Sequence, residues 1–237
     1  GLMALGTGAH ALAAWQGARQ LVAADPDRIL ATPALRATAI AQGGPLFARH
    51  CAACHNADGR GRPDLGAPDL TDADWLYGSG RVDQIEQIIR HGIRAGDTRG
   101  QALADMPAFG RARPSASEPF VPLGPGEIAL LVDWLHYLEG RAPLTGPARA
   151  GGQIYAGKGG CWDCHGADGH GDPAIGAPDL ADRVWLYGDG SAGAIARSIT
   201  YGRRGVMPAF ARRLSAAETR ALAAYVATLA SPHAPAA

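Results

Sequence analysis

The sequence is short of several things. Aromatic residues make up only 6% of its 237 residues, lysine occurs once, at Lys158, and methionine occurs three times. The formal net charge is zero, so the electrostatic footprint of nucleic-acid binding is missing and no nucleic-acid partner is expected. Basic residues are otherwise all arginine, which reads as codon bias. No run of about 18 apolar residues occurs, so nothing in the sequence as given reads as a membrane-crossing helix. The first residue is glycine rather than methionine. This leads to the expectation of a processed or truncated N-terminus with an anchor outside the sequence.

What is present is apolar and loop-rich. Hydrophobic residues reach 47%, enough to build cores, and there are 33 Gly and 17 Pro. A domain of about 100 residues that is rich in loops and poor in aromatics has little to fill its centre. A large apolar cofactor would supply that filling.

A repeat organises the chain. Ala57-Asp58-Gly59-Arg60-Gly61 recurs as Ala167-Asp168-Gly169-His170-Gly171, and Gly66-Ala67-Pro68-Asp69-Leu70 as Gly176-Ala177-Pro178-Asp179-Leu180. Trp75-Leu76-Tyr77-Gly78 recurs as Trp185-Leu186-Tyr187-Gly188, at the same offset of 110. Met106-Pro107-Ala108-Phe109 recurs as Met207-Pro208-Ala209-Phe210 at an offset of 101, so the first copy carries nine extra residues within Ile93 to Asp105. It also carries a Pro/Ser-rich stretch, Arg111 to Gly126, that reads as a surface loop.

Each copy follows one plan. A short helix precedes the Cys pair, around Gly44 to Cys51 and Gly152 to Cys161. A Gly/Pro-rich loop follows, then a middle helix at Val82 to His91 or Ala192 to Tyr201, with Ile85, Ile88 and Ile89 on one face of the first. A closing helix is expected at Gly126 to Leu138, from Ile128, Leu131, Leu135 and Leu138. Its counterpart is expected at Ser215 to Leu229, from Leu222, Val226 and Leu229. Ser215 and Glu218 have the spacing of a capping box. No strand-like alternation stands out. The expected class is all-α with long Gly/Pro-rich loops. A helical lead-in spans residues 1–35, a first domain 36–140, a linker 141–148 and a second domain 149–237.

All four cysteines lie in Cys51-Ala-Ala-Cys54-His55 and Cys161-Trp-Asp-Cys164-His165. Two thiols three apart on a helical turn can add to the two vinyl groups of one haem, and the adjacent histidine then falls under the iron. A lone Cys-x-x-Cys also suits a redox dithiol or half a zinc site. The following histidine and the second copy favour two covalently attached c-type haems, with His55 and His165 as proximal ligands. Met106 and Met207 open identical Met-Pro segments, and a thioether is a soft, neutral ligand suited to haem iron. Methionine is otherwise common core filler, but here it is scarce and placed identically in both copies. His50, His91, His136 and His170 have no histidine at the equivalent position. His91, near the first Met loop, is the competitor to watch. Pro68 and Pro178 are positioned to offer a carbonyl to the proximal imidazole N–H. Trp75, Tyr77, Trp185 and Tyr187 read as packing at the haem or as ordinary core. Arg203, Arg204, Arg212 and Arg213 flank the second Met, facing haem propionates, an acidic partner or solvent.

The Trp-Leu-Tyr-Gly elements following Gly-Ala-Pro-Asp-Leu, with the paired Met-Pro segments, resemble the dihaem subunit III of cbb3-type cytochrome c oxidases. The resemblance covers roughly residues 10–230 and includes the Thr98 to Met106 insertion. It implies two tandem class I cytochrome c domains, each wrapped around one covalent haem, on the periplasmic side of a bacterial inner membrane. It implies an N-terminal membrane anchor, other subunits of a terminal haem–copper oxidase as partners, and a cytochrome c or bc1-type donor. The chain departs at Asn56, where the family usually has Gly, and in lacking a membrane helix. An electron acceptor for a periplasmic dehydrogenase is the alternative carrier. A dihaem peroxidase or a haem-based gas sensor needs an open ligand position, against which the matched methionines argue.

Overall fold

The computed structural model describes residues 2–112 and 121–230, so residues 113–120 of the expected surface loop lie outside the described residues. Ten helices occur among the described residues: α1 (Leu2–Ala23), α2 (Pro26–Ile29), α3 (Pro33–His50), α4 (Ala52–His55), α5 (Val82–His91), α6 (Pro125–Leu138), α7 (Gly146–Ala156), α8 (Trp162–His165), α9 (Ala192–Tyr201) and α10 (Ala216–Leu229). Pairing of strand type is confined there to isolated bridges. The all-α class is therefore observed.

Local chemistry accounts for most helix ends. The Ser215 side chain accepts from the Glu218 N–H, and Glu218 reaches back to the Ser215 N–H at 2.8 Å, so the expected capping box forms. Thr145 caps α7 through the Ala148 N–H, so α7 begins inside the stretch expected to be linker. Pro33 opens α3, where a missing N–H is harmless. That helix runs well ahead of the expected start at Gly44.

Gly43 explains why this Gly/Pro-containing segment stays helical. A Cβ there would lie 2.4 Å from Tyr225 Cβ and 2.5 Å from the Ala221 carbonyl, so glycine lets α10 cross α3 at backbone contact. Gly151 is its counterpart: a Cβ would lie 1.9 Å from the Leu130 carbonyl, where α6 crosses α7. Tertiary packing thus overrides local propensity.

The chain divides into two compact units. Unit 1 holds Gly1–Arg62, Ala67–Gln101 and Val206–Ala237, and unit 2 holds Pro63–Gly66 and Ala102–Gly205. These differ from the tandem segments 36–140 and 149–237. From its Met segment through its closing helix, each repeat packs with the other repeat's opening and middle helices. In unit 1, α10 packs on α3 and α5; in unit 2, α6 packs on α7 and α9. The physical reason lies in the connection: only residues 139–145 separate α6 from α7, and a short loop makes sequence neighbours into packing neighbours.

Each unit has its own core. Unit 1 buries Leu21, Ile29, Phe47, Ile85, Ile89, Leu222 and Val226, among others. Unit 2 buries Leu123, Ile128, Leu131, Leu135, Tyr155, Ile195 and Ile199. Leu131 and Leu222 are at most 1% exposed, and a leucine so buried contributes about 1.5–3 kcal/mol.

Candidate functional site

In each unit the cysteine motif forms one helical turn, directly after α3 in unit 1 and after residues 157–160 that follow α7 in unit 2. The Cys51 N–H donates to the Phe47 carbonyl at 2.8 Å, and the Cys51 carbonyl accepts from Cys54 and His55 at 3.1 and 2.9 Å. The Cys161 N–H donates to Tyr155 at 3.0 Å, and its carbonyl accepts from Cys164 and His165 at 3.3 and 3.0 Å. Two thiols and an imidazole thus share each turn. None of the four cysteines is in a disulfide.

The loop after each motif folds back under the histidine. In unit 1, Gly61 donates to the His55 carbonyl, Arg62 and Ala67 exchange both backbone bonds, and Leu70 donates to Gly59. In unit 2, Gly171, Asp172, Ala177 and Leu180 repeat the pattern. Gly61 and Gly171 sit at φ of 74° and 75°, and a Cβ on either would meet the Ala67 or Ala177 carbonyl at about 2.5 Å. The turn delivers the Pro68 and Pro178 carbonyls to the imidazoles: His55 Nδ1–H donates at 3.1 Å and His165 Nδ1–H at 2.9 Å. Nδ1 therefore carries the proton and Nε2 presents its lone pair. Burial lowers both imidazole pKa values, partly opposed by the proline carbonyl, so the neutral ligand form is favoured.

Asn56 takes the place of the usual glycine and adopts φ 60°, where Gly166 has 75°. Asparagine tolerates this left-handed conformation, and its side-chain N–H donates to the Gly61 carbonyl at 2.7 Å. The departure from the family pattern therefore keeps the turn.

Burial pushes the Cys51 and Cys161 thiols up to about 11. A redox dithiol needs the opposite, a lowered pKa that yields thiolate. Among the described residues no group of three or more His, Cys, Asp or Glu side chains is gathered as for a metal ion. Thiols paired on one turn with a neutral, oriented imidazole fit covalent haem.

The two methionines are held by one device, crossed between the repeats. Met207 and Ile93 exchange backbone hydrogen bonds of 3.0 and 2.9 Å; Met106 and Arg203 do the same at 3.0 and 2.9 Å. Phe210 then donates to Ile89, and Phe109 to Ile199. Each Met-Pro-Ala-Phe segment thus runs beside the end of the other repeat's middle helix. Met207 packs on the unit 1 core with Cys51, Leu70 and Trp75. Met106 packs on the unit 2 core with Cys161, Leu180 and Trp185.

The other candidates have defined places. Tyr77 is buried and its hydroxyl accepts from Arg94 at 3.2 Å. Arg203 lies 4.2 Å over the Tyr187 ring and donates to Ser198 Oγ. Arg204 forms a loose exposed pair with Asp105, Arg213 lies over Phe210, and Arg212 is exposed. His91 is buried with Nδ1 bonded to Asp97 at 2.9 Å, His136 is bonded to the Gly190 carbonyl, His170 to Asp179, and His50 meets the Phe210 ring edge-on. Sequence reasoning missed that Ile93 and Arg203 clamp the methionines through their backbones: it set Arg203 beside Met207, and its backbone pairs with Met106. It also missed Tyr155, whose hydroxyl donates to the Gly166 carbonyl at 2.7 Å. The glycine directly after each middle helix, Gly92 and Gly202, was the available sign of the clamp.

The family model for cytochrome c oxidase, cbb3-type, subunit III matches residues 38–118 and 146–226. The chain belongs to this family. Family membership implies covalently bound c-type haem, and both matched segments contain one Cys-x-x-Cys-His turn. The chain is 42% identical over 198 residues to the cbb3-type cytochrome c oxidase subunit FixP of Azorhizobium caulinodans, covering 83% of this chain and 62% of that protein. It is 38% identical to the FixP subunit of Bradyrhizobium sp., covering 83% and 63%, and 34% identical to the CcoP subunit of Cereibacter sphaeroides, covering 88% and 67%. The chain thus spans slightly under two thirds of the length of the FixP relatives. No helix among the described residues is long and apolar enough to cross a membrane.

Proposed function

We propose that the chain carries two c-type haems and relays electrons from a cytochrome c or bc1-type donor to the haem–copper centre of a terminal oxidase. One haem would be held by Cys51, Cys54, His55 and Met207. The other would be held by Cys161, Cys164, His165 and Met106. The observation that carries this is the pair of matched sites, each with an Nδ1-anchored histidine on the cysteine turn and a backbone-clamped methionine in the same core.

Bound haem supplies a one-electron iron couple. The chain's residues set the conditions for it. The proline carbonyls fix the imidazole orientation and strengthen it as a donor. The thioethers of Met106 and Met207 favour the ferrous state and raise the potential. The backbone clamps would hold the Met106 and Met207 thioethers as ligands and leave no position open to small molecules. Trp75, Tyr77, Trp185 and Tyr187 line the sites in this reading. It also places the protein on the periplasmic side of the bacterial inner membrane, held by a membrane anchor, with other oxidase subunits as partners.

The test is gentle extraction of the full-length protein from its native membranes. Stoichiometric co-purification with a haem–copper oxidase, with two haems per chain by haem assay, is expected. A chain that runs alone or with a dehydrogenase overturns the oxidase assignment. Carbon monoxide binding at one haem of the reduced protein would overturn the closed ligand set.

A further inference from the structure

An apolar groove runs along unit 2 between α6 and α9. It has a volume of about 420 Å³ and is lined by Leu123, Ile128, Ala129, Val132, Ala192 and Ala196, among others, with Asp133 exposed at its rim. The internal repeat shows what such a groove takes. Its counterpart in unit 1 lies between α10 and α5, and there the lead-in helices α1 and α2 cover it. Val82, Thr219, Ala223 and Ala224 of that surface are at most 3% exposed, beneath Leu21 and Ile29, which are fully buried. In unit 2 the equivalent positions of Val82 and Ala224 are Ala192 and Asp133, both exposed.

The two grooves differ in chemistry. Unit 1 has a buried pair on its floor, Arg220 with Glu86, and Arg220 also donates to the Ala24 carbonyl at the end of α1. The corresponding residues of unit 2 are Ala129 and Ala196. Its floor is therefore apolar and asks for no polar partner. Its one charge is Asp133, standing where unit 1 has an alanine.

We propose that the unit 2 groove is the docking site for a helix of another subunit of the oxidase. That helix lays aliphatic side chains between α6 and α9 and sets a lysine or arginine against Asp133. The fold supplies the groove twice, fills one copy with its own helices, and gives the other an apolar floor and an acidic rim. A helix with an apolar face is the occupant the filled copy accepts, and Asp133 selects one with a basic residue. The proposal rests on the oxidase-subunit reading above.

Two measurements on the full-length chain in its native membranes test it. The first places the photo-crosslinking residue p-benzoylphenylalanine at Ala129. A crosslink mapped to a helix of another oxidase subunit, with a basic residue within a turn of the adduct, is expected. Crosslinks to residues 113–120 of the same chain, to a second copy, or to no protein overturn the proposal. The second measures how much oxidase catalytic subunit is retained by Asp133→Lys and Ala196→Trp chains. A fall of about tenfold in either is expected, with haem content and reduced spectrum as in the parent chain. Asp133 is exposed, so its variant stays informative if the tryptophan disturbs folding. Equal retention by parent and Asp133→Lys chains, together with no crosslink, overturns the groove assignment while the subunit assignment stands. Failure of the parent chain to retain any oxidase removes both.

Discussion

Met207 and Ile93 exchange both of their backbone hydrogen bonds, at 3.0 and 2.9 Å, although they belong to different copies of the internal repeat. Met106 and Arg203 make the reciprocal pair. The fold is therefore tandem in sequence and crossed in space. Each unit borrows its methionine and its closing helix from the other half of the chain.

On the proposed two-haem reading, the crossing predicts which methionine serves which haem. In a chain whose first haem is eliminated by Cys51→Ala and Cys54→Ala, only the second attachment turn remains. Met106→Ala in that background should abolish the methionine–ferric iron charge-transfer band and admit carbon monoxide to the reduced protein. Met207→Ala should leave both properties unchanged. The reverse result would mean that each repeat supplies its own methionine.

Much of the site was legible in the chain itself. The cysteine turns, the proline carbonyls and the scarce, matched methionines follow from spacing and repeat, and the Ser215–Glu218 cap from its motif. The crossing was not. A repeat shows that two segments are alike, but carries no information on which opening helix meets which closing helix. That choice rests on the short connection at 139–145 and on Gly43 and Gly151. In sequence those glycines look like helix breakers, and in the fold they are crossing points.

The crossing points should be intolerant of a methyl group. A Cβ at Gly151 would lie 1.9 Å from the Leu130 carbonyl, and at Gly43 2.4 Å from Tyr225 Cβ. Neither neighbour is the far end of a flexible side chain, so a helix must shift. Gly43→Ala and Gly151→Ala should each destabilise by about 1–3 kcal/mol. This would appear as a fall in Tm of several degrees by circular dichroism, against the small gain that alanine brings to an ordinary helix interior. Gly126 has nothing within 4 Å of its Cβ position, so Gly126→Ala is the control and should not lower Tm.

The Arg220–Glu86 pair is a second point of stress. Its side chains are 16% and 7% exposed, so truncating Arg220 leaves the nearly dry Glu86 carboxylate with the longer contact to Arg90, at 3.5 Å. Arg220→Ala should destabilise by about 3–5 kcal/mol, since it also uncaps the Ala24 carbonyl at the end of α1. The double variant Arg220→Met with Glu86→Leu removes both charges and should recover most of that loss. Chemical denaturation of the three proteins checks this. Equal stability of the single and double variants would show that packing, rather than the stranded charge, sets the cost.

The last prediction concerns pH. His170 sits in the loop that follows the second cysteine turn, with Nδ1 2.9 Å from Asp179 Oδ2. The hydrogen bond to Asp179 raises its pKa, helped by the charges of Asp179 and Asp168. A raised histidine pKa means that the interaction is fully present below the ordinary value of about 6.5 and is lost as pH rises through the folded-state value. Asp179 also accepts the Ala181 and Asp182 N–H groups, directly after the Pro178 carbonyl that holds His165. The histidine titration is therefore a reporter on the loop that holds the His165 ring. Following the His170 ring protons by NMR should give a midpoint above the ordinary histidine value in the parent protein. Asp179→Asn should bring it back toward that value. A midpoint unmoved by the substitution would show that Asp168 and the surrounding field, rather than the Asp179 contact, hold the proton on His170.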